Sequence, residues 1–416
     1  MFDFMEKKLY PLKFIPIASR RPWGGNALVT GLGKEFTVCD EDGNETVLGA
    51  EEAIGESWEI ADMGFEDSVV KEGWLAGNTI SDLMETYIER VVGEDVYNYY
   101  GRQFPLLIKF LDIKGKLSVQ VHPDDEIAAE RYDSLGKNEI WYVLDAKPGS
   151  KIYAGFNKDM TAQELYDRCH DGSVEEVLNV IYPKKGDVLH ITPGTVHSAE
   201  GELLVVEVQE SSDLIFRLYD WGREFDPATA RPMHLDEAID FINYDKFDES
   251  YYRKGALWGD HDKVVETFVE SPQFNVSKLN LTDPLHIYTE KFASFIIYIC
   301  IEGAASVQVP SENENGEACM ENYEFGKGET ILIPADMPDF FLVPRDRSTV
   351  ILEAVTRPVD ELDAYIDPDT EAFLEDEDYE GLEDGAFDDD DDDDIPQGPS
   401  GASPLGFFGA GRGPLS

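Results

Sequence analysis

The sequence predicts a mainly β chain: two related barrels, a few inserted helices and an acidic C-terminal tail. Three observations predict it. Over residues 1–359, short runs of β-branched and aromatic residues are separated at close intervals by Gly, Pro and Asp. That is the pattern of many short strands joined by turns. One stretch occurs twice, as GDVLHITPGTVH at Gly186–His197 and as GETILIPADMPD at Gly328–Asp339. Each copy opens with Gly and an acid, continues as an apolar strand and turns at a proline, which points to an internal repeat. Finally, residues 360–394 hold 20 Asp and Glu and no Lys or Arg. Such a segment cannot bury enough apolar surface to offset its ordering entropy, and 367–416 is expected to be disordered.

The elements follow in order. Ile80–Val92 places Ile80, Leu83, Met84, Tyr87, Ile88 and Val91 on one face, as in a helix. Leu106–Leu111 is an apolar strand interrupted by Lys109. Asp124 and Asp125 are expected to cap a helix over Glu126–Tyr132. Strands are expected at Lys151–Phe156, Val188–Thr192, Leu203–Gln209, Leu214–Tyr219, Phe295–Ile301 and Thr330–Pro334. Thr161-Ala-Gln-Glu164 and Ser173-Val-Glu-Glu176 read as capping boxes for two short helices between them. Leu235–Ile242 is a further helix near the junction of the two halves.

Composition excludes several classes of function. The 416 residues suggest about two or three domains, and a hydrophobic fraction of 42% is enough for real cores. The net charge is −52, and residues 1–359 alone carry 66 acidic against 33 basic side chains. A binder of nucleic-acid backbone is therefore not expected, nor one of an anionic membrane. An anionic substrate needs local cations strong enough to overcome the global field. Cys39, Cys169, Cys300 and Cys319 are widely spaced with no CxxC, which fits a reduced compartment rather than a disulfide scaffold. Charges interrupt the N-terminus before a signal-like core can form. The longest apolar run, Phe292–Ile301, is about ten residues, half of what spans a bilayer. A soluble, cytoplasmic protein is expected.

The chemistry is concentrated at Leu117-Ser-Val-Gln-Val-His-Pro123. On a strand, Ser118, Gln120 and His122 share one face. Gly136-Lys-Asn-Glu139 follows, with Lys137 and Glu139 again on one face, and then Thr195-Val-His197. Two imidazoles, a carboxylate and an amide oxygen suit a divalent transition ion: zinc, or else manganese or iron. The remaining histidines lack such company. His190 follows the opposite parity from Ile191, fits a solvent-facing position and receives no role.

The pieces LSVQVHPDDE, GKNEIWYVLDA, TPGTVHSAEGELLVVEVQESSD and FRLYDWGR, in this order, resemble type I phosphomannose isomerase, in its short bacterial form. RPWGG at Arg21–Gly25 and IGESWEI at Ile54–Ile60 are similar to the same family. The resemblance covers residues 9–359, and Asp40–Glu52 looks like an insertion. It implies two cupin, or jelly-roll, barrels: a metal-binding catalytic half over 1–245 and a degenerate half over 246–366, where Asp339 stands in for a ligand histidine. It implies one Zn2+ per chain, held by Gln120, His122, Glu139 and His197. Ser118, Lys109 and Lys137 match substrate-binding positions. Arg217 matches an arginine implicated in catalysis, and Glu207 an acid of the same pocket. Larger members carry lysine near the position of Arg223, where this chain has arginine, so a lysine base there is not implied.

The reaction implied is the interconversion of mannose 6-phosphate and fructose 6-phosphate through an enediol. The base stays open between Glu207 and a metal-activated water. Arg217 pairing with Asp220 or Asp213, and Glu207 in an ion pair, are the structural alternatives. A non-catalytic sugar-binding or regulatory cupin, or an isomerase of another sugar, are the functional ones. The sequence leaves the oligomeric state open, a monomer included.

Overall fold

The computed structural model describes residues 7–39, 45–255, 264–313 and 315–356. The acidic segment 367–416 lies outside the described residues, as does the middle of the expected insertion. Strands Thr37–Cys39 and Glu45–Val47 pair on either side of that middle part.

Four sheets carry the fold, with antiparallel neighbours. The first runs, in spatial order, Ile17–Ser19, Glu56–Ile60, Leu106–Ile113, Leu203–Glu210, Glu139–Ala146, Val188–Ile191 and Tyr252–Arg253. The second runs Phe216–Tyr219, Val119–Val121, His197–Glu200, Lys151–Phe156 and Leu178–Ile181. The third runs Val265–Glu270, Asn275–Leu281, Thr349–Val355, Ile296–Glu302 and Thr330–Ile333. The fourth runs Leu285–Ile287, Phe340–Pro344, Ala304–Glu312 and Ala318–Gly326.

Strand parity fixes how the sheets stack. In Leu106–Ile113 all eight residues are buried. Leu106, Ile108 and Phe110 join a core that also contains Val276, Ile297, Ile299 and Leu352 of the third sheet. Leu111 and Ile113 point the other way, into a core shared with Ile152, Ala154 and Ala199 of the second sheet. The first sheet is thus covered on both faces, which is why its strands read as continuous rather than alternating apolar runs. The third sheet is likewise covered twice: its other face packs Leu279, Tyr298 and Ile351 against Val307 and Leu342 of the fourth. Side chains on alternate positions of Leu106–Ile113, Glu139–Ala146 and Leu203–Glu210 therefore fill the space between the first and second sheets. Lys109, Glu139, Trp141 and Glu207 occupy that parity.

The expected strands form with shifts of a residue or two. Leu214–Tyr219 shortens to Phe216–Tyr219, because the Leu214 carbonyl accepts from the His122 ring, 2.7 Å away. The helix expected over Ile80–Val92 breaks into Ile80–Thr86 and Glu89–Val92. Ile88 between them has φ 49°, a backbone region costly for a β-branched residue, and the turn brings both Val91 and Val92 into the core. Thr161 caps Ala162–Asp171 through Glu164 N, as expected, and Asp124 caps Asp125–Tyr132 through Ile127 N. The Ser173 capping box does not form: Val174–Val177 is a single 3-10 turn without a side-chain cap, and Ser173 Oγ accepts from Arg168 instead. The helix expected over Leu235–Ile242 shortens to Leu235–Ala238. Among the described residues, no helix is long and apolar enough to cross a membrane.

Candidate metal centre and substrate pocket

Ladder register assembles the site. Gln120 pairs across to His197 on one side and to Arg217 on the other. In the facing sheet, Trp58, Lys109, Glu207 and Trp141 are successive cross-strand partners in a single row. Cross-strand partners in register lie within side-chain contact distance, so the two sheets present their polar groups to one another.

His122, Glu139 and His197 converge. Their ligand atoms all lie within 4.8 Å of one another, and all three residues are buried. His197 Nε2 is 3.3 Å and His122 Nε2 3.8 Å from the Glu139 oxygens. Both rings have Nδ1 on a backbone carbonyl, Leu214 O at 2.7 Å and Thr195 O at 2.9 Å. A carbonyl only accepts, so each Nδ1 holds the proton and each Nε2 lone pair faces the centre. Burial, aided by the Lys137 charge, keeps the His122 ring far below the ordinary histidine range. Burial brings His197 down to about 4. Burial and the Glu207 charge push Glu139 up to about 8. His122 Nε2 and both Glu139 oxygens are buried without a hydrogen-bond partner. Unmet polar atoms of this kind are costly, and a divalent cation would satisfy all of them. The residues fit a metal.

Gln120 sits beside this cluster, its Nε2 3.2 Å from His197 Nε2, and Ser118 Oγ donates to Gln120 Oε1 at 3.1 Å. Lys137 Nζ is 3.7 Å from Glu139 Oε2.

Charged groups continue outward from the centre. Lys109 Nζ, buried, contacts Glu207 Oε1 at 3.0 Å and Gln209 Oε1 at 2.8 Å. Burial alone would lower its affinity for a proton, but the Glu207 and Glu56 carboxylates outweigh that and hold it above the usual lysine range. Glu207 accepts a second bond from Trp141 Nε1 at 2.8 Å, so the expected ion-pair alternative for Glu207 is present. Glu56 takes Arg21 on both oxygens, at 2.8 and 3.1 Å. Lys109 and Arg21 prevail over its burial and hold it near 2.

Arg217 is not tied to Asp220. Asp220, its side chain fully buried, is occupied by Arg223 and Arg231. Arg217 Nη1 donates to Pro232 O at 2.6 Å, and its Nε is buried without a partner. His190 is half-buried rather than solvent-facing and bonds Asn138 Oδ1 at 2.8 Å. Asp339, the repeat's counterpart of His197, accepts from Thr289 N and Oγ1 of a segment 50 residues away. His122, Glu139 and His197 form the one cluster of this type found among the described residues.

The structure brings Lys109, Ser118, Gln120, Lys137, Glu207 and Arg217 to a single pocket beside the histidines, and adds Arg21, Glu56 and Arg231 to its wall. Sequence reasoning gave those three no role. Arg21 and Glu56 lie in the quoted RPWGG and IGESWEI segments, and the same-face parity of Glu56 and Trp58 was the available signal. Gly24 fits there because a Cβ would stand 2.5 Å from Gly55 N.

Sheets packed face to face around a buried histidine–carboxylate cluster, with arginines beside it, define a metal-binding β protein suited to a small anion. Comparison with known proteins narrows the class. Residues 12–148 match the family model "Phosphomannose isomerase type I, catalytic domain". The chain is 32% identical to mannose-6-phosphate isomerase ManA of Bacillus subtilis, over 80% of this chain and 95% of that protein. It is 29% identical to mannose-6-phosphate isomerase of Streptococcus mutans, over 76% and 89% respectively. The crystal structure of the Bacillus subtilis mannose 6-phosphate isomerase superposes with a TM-score of 0.65 at 27% identity, covering 83% of this chain and 99% of that one. A phosphomannose isomerase from Salmonella typhimurium, 15% identical, shares the fold with a TM-score of 0.61. The chain belongs to the type I phosphomannose isomerase family.

Proposed function

We propose that this chain is a zinc-dependent aldose–ketose isomerase that interconverts mannose 6-phosphate and fructose 6-phosphate, moving a proton between C1 and C2 through an enediol. One observation carries the reading: a buried His–Glu–His cluster stands beside Arg217, whose Nε is buried without a hydrogen-bond partner among the described residues. Gln120, His122, Glu139 and His197 would hold one Zn2+ per chain, with a half-turn of the Gln120 amide offering its oxygen. When bound, the ion would polarise the sugar oxygens it faces.

The chain's own residues supply the rest. Arg217 keeps its charge at neutral pH, since burial and the neighbouring Arg231 lower it only to about 10. Its planar fork suits the oxyanion of the enediolate. Lys109, Lys137 and Ser118 hold sugar oxygens in the pocket. Glu207 is the proposed proton carrier. Glu139 belongs to the metal and Glu56 accepts three bonds, two from Arg21 and one from Trp58 Nε1, whereas Glu207 accepts only one on each oxygen, from Lys109 and Trp141. Each oxygen keeps a second lone pair for a proton.

The proposed architecture is a catalytic cupin over 1–245 and a degenerate cupin over 246–366. The strand Tyr252–Arg253 still belongs to the first sheet and Val265–Glu270 opens the third, which favours a change of sheet between 253 and 265 rather than at 245. The site draws on one chain, so a monomer suffices, and free Cys169, Cys300 and Cys319 suit a cytoplasmic setting. The test is conversion of mannose 6-phosphate to fructose 6-phosphate by purified protein, with zinc and after chelation. Zinc-dependent turnover is expected. A folded, zinc-loaded sample without turnover would refute the reading in favour of a binding cupin.

A further inference from the structure

The pocket holds more cations than the isomerisation uses. Lys109 gives two of its three donors to Glu207 and Gln209, and Lys137 is buried against Glu139. Neither lysine is placed to neutralise a dianion. Arg21 and Arg231 are held differently. Arg21 gives Nε and Nη2 to the two oxygens of Glu56. Arg231 gives Nε and Nη2 to the two oxygens of Asp220, at 3.0 and 2.6 Å. A carboxylate on that edge leaves the Nη1 end of each guanidinium pointing away from its anchor. Both arginines line the pocket together with Arg217, and both are a quarter to a third exposed, on the solvent side of the buried lysines.

We infer that Arg231 and Arg21 form the phosphate-end anchor of the substrate pocket, with Asp220 and Glu56 as the positioning residues that aim them. The inference rests on the isomerase reading above and adds the residues that recognise the phosphate. Three guanidiniums around one pocket repel one another, and Arg217 feels both Arg231 and Arg21. A dianion between the free ends removes that repulsion and gains charge-assisted bonds in a fork geometry suited to phosphate. Arg223 acts behind this layer: it bonds the same Asp220 and does not line the pocket. Asp220 is thus an aiming post shared by two arginines, one of which faces the substrate. The division of labour places the phosphate at the exposed arginines and the reacting carbons at the buried metal end.

The test uses zinc-loaded full-length enzyme. Arg231→Ala, Arg231→Lys and Arg21→Lys are compared with wild type for kcat, KM for mannose 6-phosphate, the inhibition constant of inorganic phosphate, and bound zinc. A lost charge-assisted contact predicts a KM increase of about 10- to 100-fold in Arg231→Ala. The phosphate inhibition constant should rise in parallel, with kcat changed by less than about threefold and zinc content unchanged. Arg231→Lys keeps a charge for Asp220 and so guards against misfolding; it should still raise both constants. Unchanged KM and unchanged phosphate inhibition in folded, zinc-loaded variants would overturn the anchor. A fall in kcat at constant KM would also overturn it, by moving Arg231 to the reacting end. If wild type shows no turnover yet binds phosphate in an Arg231-dependent way, the isomerase reading fails and the anion site stands.

Discussion

Replacing Glu139 by Gln should change the sign of its effect on stability according to whether metal is present. In wild type, an ion at about 1,000 times its dissociation constant stabilises the fold by about 4 kcal/mol. With an unfolding entropy of about 2.1 cal/mol/K per residue over the roughly 340 described residues, each kcal/mol is worth about 1.4 °C. Chelation should therefore lower the wild-type Tm by about 6 °C. Glu139→Gln loses the anionic ligand, so zinc should move its Tm far less. In chelated protein the comparison reverses. Both Glu139 oxygens are buried without hydrogen-bond partners, and the nearest cation, Lys137, is 3.7 Å away. Burial and the Glu207 charge push metal-free Glu139 up to about 8, so only above that pH is it a buried, poorly compensated charge. Replacing it there by a neutral isostere is neutral or favourable, by up to about 2 kcal/mol, or 3 °C. The assay is thermal unfolding of both proteins with zinc and with chelator. A variant that responds to chelation as strongly as wild type refutes the ligand assignment. At that alkaline pH, a metal-free variant clearly less stable than metal-free wild type refutes the argument about an unmet buried charge.

Other outcomes follow from the same geometry. Arg217→Lys should keep its zinc and lose about 100- to 1,000-fold in kcat, because a point charge replaces a fork aimed at the oxyanion; metal analysis and steady-state kinetics check this, and wild-type turnover would remove Arg217 from the reaction. Glu210 is buried beside Asp125, and that burial pushes its carboxyl up from an ordinary 4.5 to about 8. The unfolded chain releases this proton first, so its contribution is fully present below about 4.5 and is lost as pH rises through about 8. Glu210→Gln should flatten the stability–pH curve across that window by a few kcal/mol, and an unchanged slope would contradict it. Thr161→Ala removes the cap on Glu164 N and should cost about 1 kcal/mol in chemical denaturation without touching turnover.

Much of the fold was legible because strands announce themselves by composition. Lys151–Phe156 forms with the expected bounds, and Val188–Thr192 and Leu203–Gln209 with a residue's difference. What composition does not carry is competition for backbone groups and packing. Leu214 reads as strand, yet its carbonyl is taken by a histidine ring from another strand. Ser173 has the right sequence for a capping box, yet Arg168 claims its hydroxyl. Ile88 lies on the right face for one long helix, yet the core accepts Val91 and Val92 only after a turn there. Each departure is a local preference overruled by a partner distant in space or by a demand of the core.

The site divides along the same line. His122 and Glu139 are legible because parity on short strands puts side chains on one face whatever the rest of the chain does; Gln120 reaches the same pocket, but with its Nε2 and not the expected oxygen towards His197. His197 needed the turn after the Val188 strand to bring it opposite Gln120, and the register does so. The cations were harder to rank, because a sequence does not say which positive charges are already neutralised. The resemblance implies substrate binding for Lys109 and catalysis for Arg217 without saying which of the two is already neutralised. The structure separates them: Lys109 faces a carboxylate and an amide oxygen, while Arg217 has a buried Nε with nothing to bond. Asp220 makes that possible, since two neighbouring arginines occupy the carboxylate that Arg217 would otherwise take. In a chain of net charge −52, keeping acidic groups away from selected cations is as necessary to binding an anion as supplying the cations. Glu56, Glu207 and Asp220 commit their oxygens to specific donors, and in the proposed site this leaves the opposite ends of Arg21 and Arg231, and the Nε of Arg217, for the substrate.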